Sequence, residues 1–271
     1  MDIPLIALND GAMIPQLGFG VFQIPPPETE HAVRAALEAG YRHIDTAEMY
    51  GNEQGVGEAV RAVGLDRGDV YITSKLNNGY HRPDEARRAF ARTLELLGYD
   101  YVDLFLIHWP LPTLYDGDFV STWRTLEEFR ADGRAVSIGV SNFQVGHLER
   151  LAAESDIVPA VNQIELNPYF RNHEVVEYGV EHGIATEAWA PIGQGRVLDD
   201  PILRDSIDAL RSHTDAKLSF EILHALPGTA HSDSATQFVG LRAGEIGHGH
   251  GNPEELLLKE WHAKGALQNR F

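Results

Sequence analysis

Apolar residues fall along this chain in two patterns. Short, nearly continuous runs over 17–22, 41–45, 70–74, 102–107, 135–140, 160–164 and 184–188 predict seven strands. Between them, apolar positions spaced three and four apart predict helices over 28–39, 53–63, 83–97 and 173–182. Another helix is expected from a cap at Ser121 to Gly133, and a short one carries Leu148 and Leu151. The punctuation agrees. Gly40, Gly98 and Gly183 follow helices, Pro83 opens one with Asp84 and Glu85 in its first turn, and Asn172 stands where a cap belongs. Ahead of the first strand, Asn9-Asp10-Gly11 between two apolar runs predicts a hairpin.

Strands that are apolar throughout suit a parallel sheet covered on both faces. Their strict alternation with helices leaves a closed barrel or an open doubly wound sheet. No G-x-G-x-x-G opens a helix after the first strand, which counts against the open dinucleotide-binding sheet. The expectation is an α/β fold, a (β/α)8 TIM barrel with an N-terminal β-hairpin cap, formed as one domain over 1–271. The eighth strand is assigned to 236–241, preceded by a helix carrying Leu218, Ile222 and Leu226, with a last helix over 253–263.

Composition narrows the function. Asp and Glu number 40 against 22 for Lys and Arg, a net charge of −18, which repels nucleic acid and anionic membranes. No apolar run reaches the roughly 20 residues of a membrane span, and the N-terminus has no basic flank or small-residue cleavage site. There are no cysteines, so disulfides, thiolate metal sites and a cysteine nucleophile are excluded. A cytoplasmic protein acting on small molecules is expected.

In such barrels, chemistry gathers at the C-terminal ends of the strands. Those ends carry Val21 and Phe22, Asp45 and then Tyr50, Lys75, His108 and Trp109, Ser141 and Asn142, Gln163, and Trp189. Singly, each is ordinary. Together they form a coherent acid. A phenol with a pKa of about 10 is a poor proton donor at neutral pH unless a neighbouring ammonium favours the phenolate. Lys75 is placed to lower Tyr50 in this way, with Asp45 holding Lys75 charged and His108 positioning a carbonyl oxygen. A carbonyl that accepts a proton also needs a hydride, which no side chain supplies, so a nicotinamide is implied. Ser141, Asn142 and Gln163 suit a carboxamide, and Trp189 offers a face for a flat ring.

The segments GFGVFQ, HIDTAEMYGNE, TSKL, LFLIHWP, GVSNF, NQIELNPYF and EAWAPIGQG resemble, in order and in register, the aldo-keto reductase superfamily. The closest likeness is to the 2,5-diketo-D-gluconic acid reductases of actinobacteria, over about residues 3–205. The resemblance implies a monomeric TIM barrel closed at its base by the hairpin, and NADPH-dependent reduction of aldehydes and ketones, with NADH as another possible donor. It implies a catalytic set of Asp45, Tyr50, Lys75 and His108. Cofactor contacts would come from Gly20, Val21, Ser141, Asn142, Gln163, Trp189, Ala190, Pro191, Ile192 and Gly193. Phe22, Ala47 and Trp109 would line the substrate pocket.

After about Asp205 the family's phosphate- and adenine-gripping motif is not recognisable, which leaves Arg242 as the obvious cation for a cofactor phosphate. Ala190 stands where the family usually has serine. In GEIGHGHG, His248 and His250 lie two apart among glycines, with His224 or His231 as further candidate ligands, but no spaced carboxylate or cysteine set accompanies them and no metal site is expected. Two functions remain open: a carbonyl reductase for small polar or sugar-acid substrates, and a barrel that binds cofactor too poorly to turn over.

Overall fold

The computed structural model describes residues 3–193, 195, 197 and 200–203, together with the backbone of a short strand at 237–239. The chain opens on an antiparallel hairpin, β1 (Leu5–Ala7) and β2 (Met13–Pro15), turning at Gly11 in the left-handed region. Then strands and helices alternate: β3 (Leu17–Gly20), α1 (Pro26–Glu38), β4 (His43–Asp45), α2 (Glu53–Ala62), β5 (Tyr71–Leu76), α3 (Pro83–Leu97), β6 (Val102–Ile107), α4 (Phe119–Ala131), β7 (Ala135–Ser141), α5 (Val145–Glu154), β8 (Val161–Glu165), α6 (His173–His182) and β9 (Ala185–Trp189). All seven strands expected from the pattern form, and β3 to β9 pair in chain order, each parallel to the next.

The barrel is closed by β10 (Gln237–Val239), which joins β9 to β3. It falls inside the segment expected to supply the eighth strand but runs antiparallel to both neighbours, with Gln237 opposite Gly18 and Val239 opposite Glu187. The periodicity of three residues locates a strand without giving its direction. The expected helix around Leu218, the final helix over 253–263, Arg242 and the histidines at 248 and 250 lie outside the described residues.

Two apolar cores hold the fold. The outer one packs helices on the sheet, with Phe90 stacked on Phe129 and tilted on Phe105 at ring separations of 4.3 and 4.4 Å. The inner one fills the barrel, where Leu8 and Ile14 of the hairpin region meet Tyr71, Leu104, Leu106, Val161 and Ala185. The hairpin is pinned by the Asn9 amide, which donates to the Pro159 carbonyl at 2.9 Å. Close approach explains two glycines. A Cβ on Gly139 would sit 2.6 Å from the Val161 carbonyl, and one on Gly18 would meet Nδ1 of His43 at 2.7 Å.

Two local expectations are corrected. The cap of α4 is Asp118, three residues before Ser121, and its carboxylate accepts the Ser121 N–H at 3.0 Å. Asn172 does precede α6, but its side-chain amide donates to the Glu165 carbonyl at 2.6 Å and does not cap the helix.

Candidate active site

The polar residues of the strand ends converge at the C-terminal rim. Asp45 is the last residue of β4 and Lys75 the fifth of β5, and both are buried. Lys75 lies within its strand, one residue short of its end, so its ammonium is entirely enclosed. It donates to Asp45 Oδ1 at 2.5 Å and to the Thr46 carbonyl at 2.9 Å. The other oxygen of Asp45 accepts from the Gln163 side-chain amide at 2.9 Å, across the barrel from β8. Burial favours neutral Lys75, but the adjoining Asp45 and Tyr50 reverse this and hold its pKa above the ordinary lysine value.

Tyr50 ends a short 3-10 turn, Glu48–Tyr50, and stands over this pair. Its ring centroid is 5.3 Å from Lys75 Nζ, 5.7 Å from the His108 ring and 5.1 Å from that of Phe22. Lys75 does pull the phenol downward, as expected, but burial outweighs it and the net shift is upward. The expected net lowering is therefore corrected. Tyr50 stays protonated at neutral pH, and Lys75 stands where its charge would favour a phenolate. His108 is pushed down to about 3 by burial and by Lys75, so its ring is a neutral imidazole, and its buried Nδ1 has no partner among the described residues.

Ser141, Asn142 and Trp189 are tied to one another. Ser141 Oγ donates to the Gln163 carbonyl at 2.8 Å. The Asn142 amide nitrogen donates to the His108 carbonyl and to Ser141 Oγ, both at 3.0 Å, and its oxygen accepts the Trp189 indole N–H at 2.9 Å. Asn142 and Ala190 both hold positive φ, 64° and 50°, at strand exits, a strain that non-glycine residues usually carry at functional sites. Phe22 and Trp109 are roughly half exposed at the rim, whereas Ala47 and Val21 are fully buried beneath it.

A family model described as "Aldo/keto reductase family" matches residues 16–261. The chain belongs to the aldo/keto reductase family. A protein named aldo-keto reductase from Mycobacterium sp. (strain JLS) is 53% identical over 201 residues, covering 74% of this chain and 72% of its own length. A methylglyoxal reductase DkgA of Yersinia pestis is 48% identical over 204 residues, with the same two coverages. Among solved structures, a Bombyx mori aldo-keto reductase in complex with NADP superposes with a TM-score of 0.71 at 37% identity, covering 78% of this chain and 77% of that one. The family match thus continues past the point where the motifs cease to be recognisable by eye.

This aldo/keto reductase also uses buried polar residues that strand-end reasoning passed over. Asn52 holds two rim loops together. Its amide donates to the Val21 and Ile24 carbonyls at 2.9 and 3.2 Å, and its oxygen accepts from Thr46 Oγ1 at 2.8 Å. Glu53 is raised to about 7 by burial and accepts from Ser74 Oγ at 2.6 Å and Thr93 Oγ1 at 3.4 Å. Glu187 is wholly buried in β9. A charged residue in the middle of a strand covered on both faces was the available signal for it.

Proposed function

We propose that the chain reduces aldehyde and ketone groups of small polar carbonyl compounds, with NADPH as hydride donor and Tyr50 as proton donor. The observation that carries this reading is the enclosed Asp45–Lys75 pair beneath a protonated Tyr50, with neutral His108 beside it. NADPH, when bound, supplies the hydride. The residues of the chain do the rest. Tyr50 holds the proton at its hydroxyl, Lys75 favours the phenolate left behind, and Asp45 keeps Lys75 charged. The neutral imidazole of His108 orients the carbonyl oxygen without adding charge.

The donor set fits a nicotinamide. The Ser141 hydroxyl and the Asn142 amide line the same rim as the half-buried Trp189 ring, and their present bonds to one another, to the Gln163 carbonyl and to the indole are of the kind a carboxamide can exchange, with the Gln163 amide, which donates to Asp45, beside them. Gly20, Val21, Ala190, Pro191, Ile192 and Gly193 would frame it, and Arg242 would meet the phosphate. Phe22 and Trp109 would receive the substrate, with Ala47 behind them.

A substrate of the methylglyoxal or 2,5-diketo-D-gluconate kind, in a monomeric, cytoplasmic enzyme of one domain over 1–271, completes the reading. The test is NADPH consumption with methylglyoxal and with 2,5-diketo-D-gluconate, alongside quenching of tryptophan fluorescence by NADPH and NADH. Tyr50→Phe should still bind cofactor and lose reduction. Unchanged turnover in that variant defeats the mechanism, and absent binding of both cofactors favours a barrel that no longer turns over.

A further inference from the structure

Glu187 stands at the middle of β9 with its side chain fully buried, and among the described residues neither carboxylate oxygen has a partner at full hydrogen-bond geometry, although the Gln163 amide acts weakly on it. It is paired in register with Gln163 of β8, so the two side chains share a face of the sheet. Gln163 in turn donates to Asp45, and Asp45 holds Lys75. Of the groups facing Glu187, β8 presents Gln163, β4 presents Asp45, β5 presents Lys75 and Tyr71, and the turn after β4 presents Tyr50. Along the backbone, Val239 of β10 lies in register with it.

Two carboxylates contest one buried ammonium here. Asp45 has won it, with a second donor on its other oxygen. Burial first, and then the negative charge of Asp45, push the Glu187 carboxyl up to about 8, against the weaker pull of Lys75 and Gln163. Glu53 is a useful contrast. It too is buried and raised, but Ser74 and Thr93 satisfy it, so it reads as part of the framework. Packing alone does not call for an unpartnered acid at 187, since an apolar side chain of similar size would fill the space at lower cost.

Resting on the reductase reading above, we propose that Glu187 is a positioning residue for proton transfer: in its neutral form it leaves Lys75 to Asp45 and Tyr50, and its ionisation adds a negative charge that opposes proton release from Tyr50. Its action is through Lys75 and Tyr50. The reductive rate therefore carries an alkaline limb set by Glu187.

The test is Glu187→Gln, which keeps the volume and removes the titration. The expected result is that the alkaline limb of kcat moves up by about one pH unit or more while KM changes little. A second reading needs no activity. The folded carboxyl is raised above its unfolded value, so its contribution to stability is present below about pH 4.5 and is lost as pH rises through about 8. The Tm of Glu187→Gln should gain steadily on that of the natural protein from pH 5 to pH 9.

Both effects together support the role. Melting curves that diverge while the two kcat profiles superimpose overturn it, leaving Glu187 a passive buried acid. Parallel melting curves overturn it as well, because the proton is then absent. No reduction in any protein, with diverging melts, defeats the functional reading and the role with it while leaving the buried proton in place. Should the variant fail to fold, 13C NMR of the glutamate carboxyls in the natural protein decides. A midpoint for Glu187 between pH 7 and 9 is expected, and one below 6 overturns the proposal.

Discussion

Asp45→Asn is the sharpest perturbation of the site, because the two oxygens of Asp45 accept from different donors, Lys75 at 2.5 Å and Gln163 at 2.9 Å. An amide has one oxygen, so whichever donor it serves, its NH2 faces the other. The charge matters more. At an effective dielectric of about 20, opposite charges at this separation attract by about 6–7 kcal/mol, and removing one partner of a buried pair typically costs about 3–5 kcal/mol. Lys75 is wholly enclosed, and with the Thr46 carbonyl and the weaker pull of Tyr50 and Glu187 left to it, its folded pKa should fall below the ordinary lysine value. A drop of about three pKa units corresponds to about 4 kcal/mol, consistent with that range. With an unfolding entropy of about 2.1 cal/mol/K per residue, the 271 residues should lose roughly 5–9 °C in Tm.

The sign of the pH dependence follows. In the natural protein Lys75 is raised, so its contribution is complete below the unfolded lysine value of about 10.4 and is lost only at higher pH. In the variant its folded value is depressed, and stability is regained as pH rises toward that unfolded value. Differential scanning calorimetry from pH 7 to pH 10.5 should show the largest deficit at pH 7 and a narrowing one above it. A Tm unchanged within a degree, or a deficit that does not vary with pH, would refute the reasoning.

Three further outcomes are expected. Gly139→Ala should lose about 1–3 kcal/mol in denaturant titrations, because its Cβ would lie 2.6 Å from a backbone oxygen of the adjacent strand; a neutral effect would show that the strands give way easily. Asn52→Ala should lose about 1–3 kcal/mol and expose the rim to limited proteolysis near residues 21–24, since it removes one donor from each of the Val21 and Ile24 carbonyls and the acceptor of the Thr46 hydroxyl; equal cleavage rates would remove Asn52 from that role. Burial depresses His43 and His81 to about 4 and His108 to about 3, so the stability they contribute is present above about pH 6.5 and is lost as pH falls through 4; His43→Gln should flatten that acid limb, read by circular dichroism, and an unaltered limb would count against a neutral His43.

Much of this was legible in the chain because burial on both faces leaves a plain mark. Runs such as 102–107 hold no polar residue but Asp103, and the seven parallel strands follow. Asp45, Lys75 and His108 stood out as titratable groups where such runs end. What the pattern concealed has physical causes. The direction of β10 depends on where the chain enters the barrel, which three residues do not encode. The upward shift of Tyr50 is a balance between burial and one ammonium, and only the enclosed geometry decides it. Asn52 looked like the start of a helix, yet its amide is spent on loops some thirty positions upstream. Glu187 sat in plain view within ATEAW, but its surroundings come from strands far away in the chain.

The bond between Gln163 and Asp45 joins residues 118 positions apart, whereas Asp45, Tyr50, Lys75 and His108 all lie within the first 108. During synthesis the whole proposed catalytic set emerges from the ribosome well before the residue that holds the second oxygen of Asp45. A nascent chain halted between His108 and Gln163 would carry every group of the acid and still leave half of Asp45 untethered. The setting of Asp45 would therefore come late and abruptly, when β8 docks against β7, rather than accumulating strand by strand.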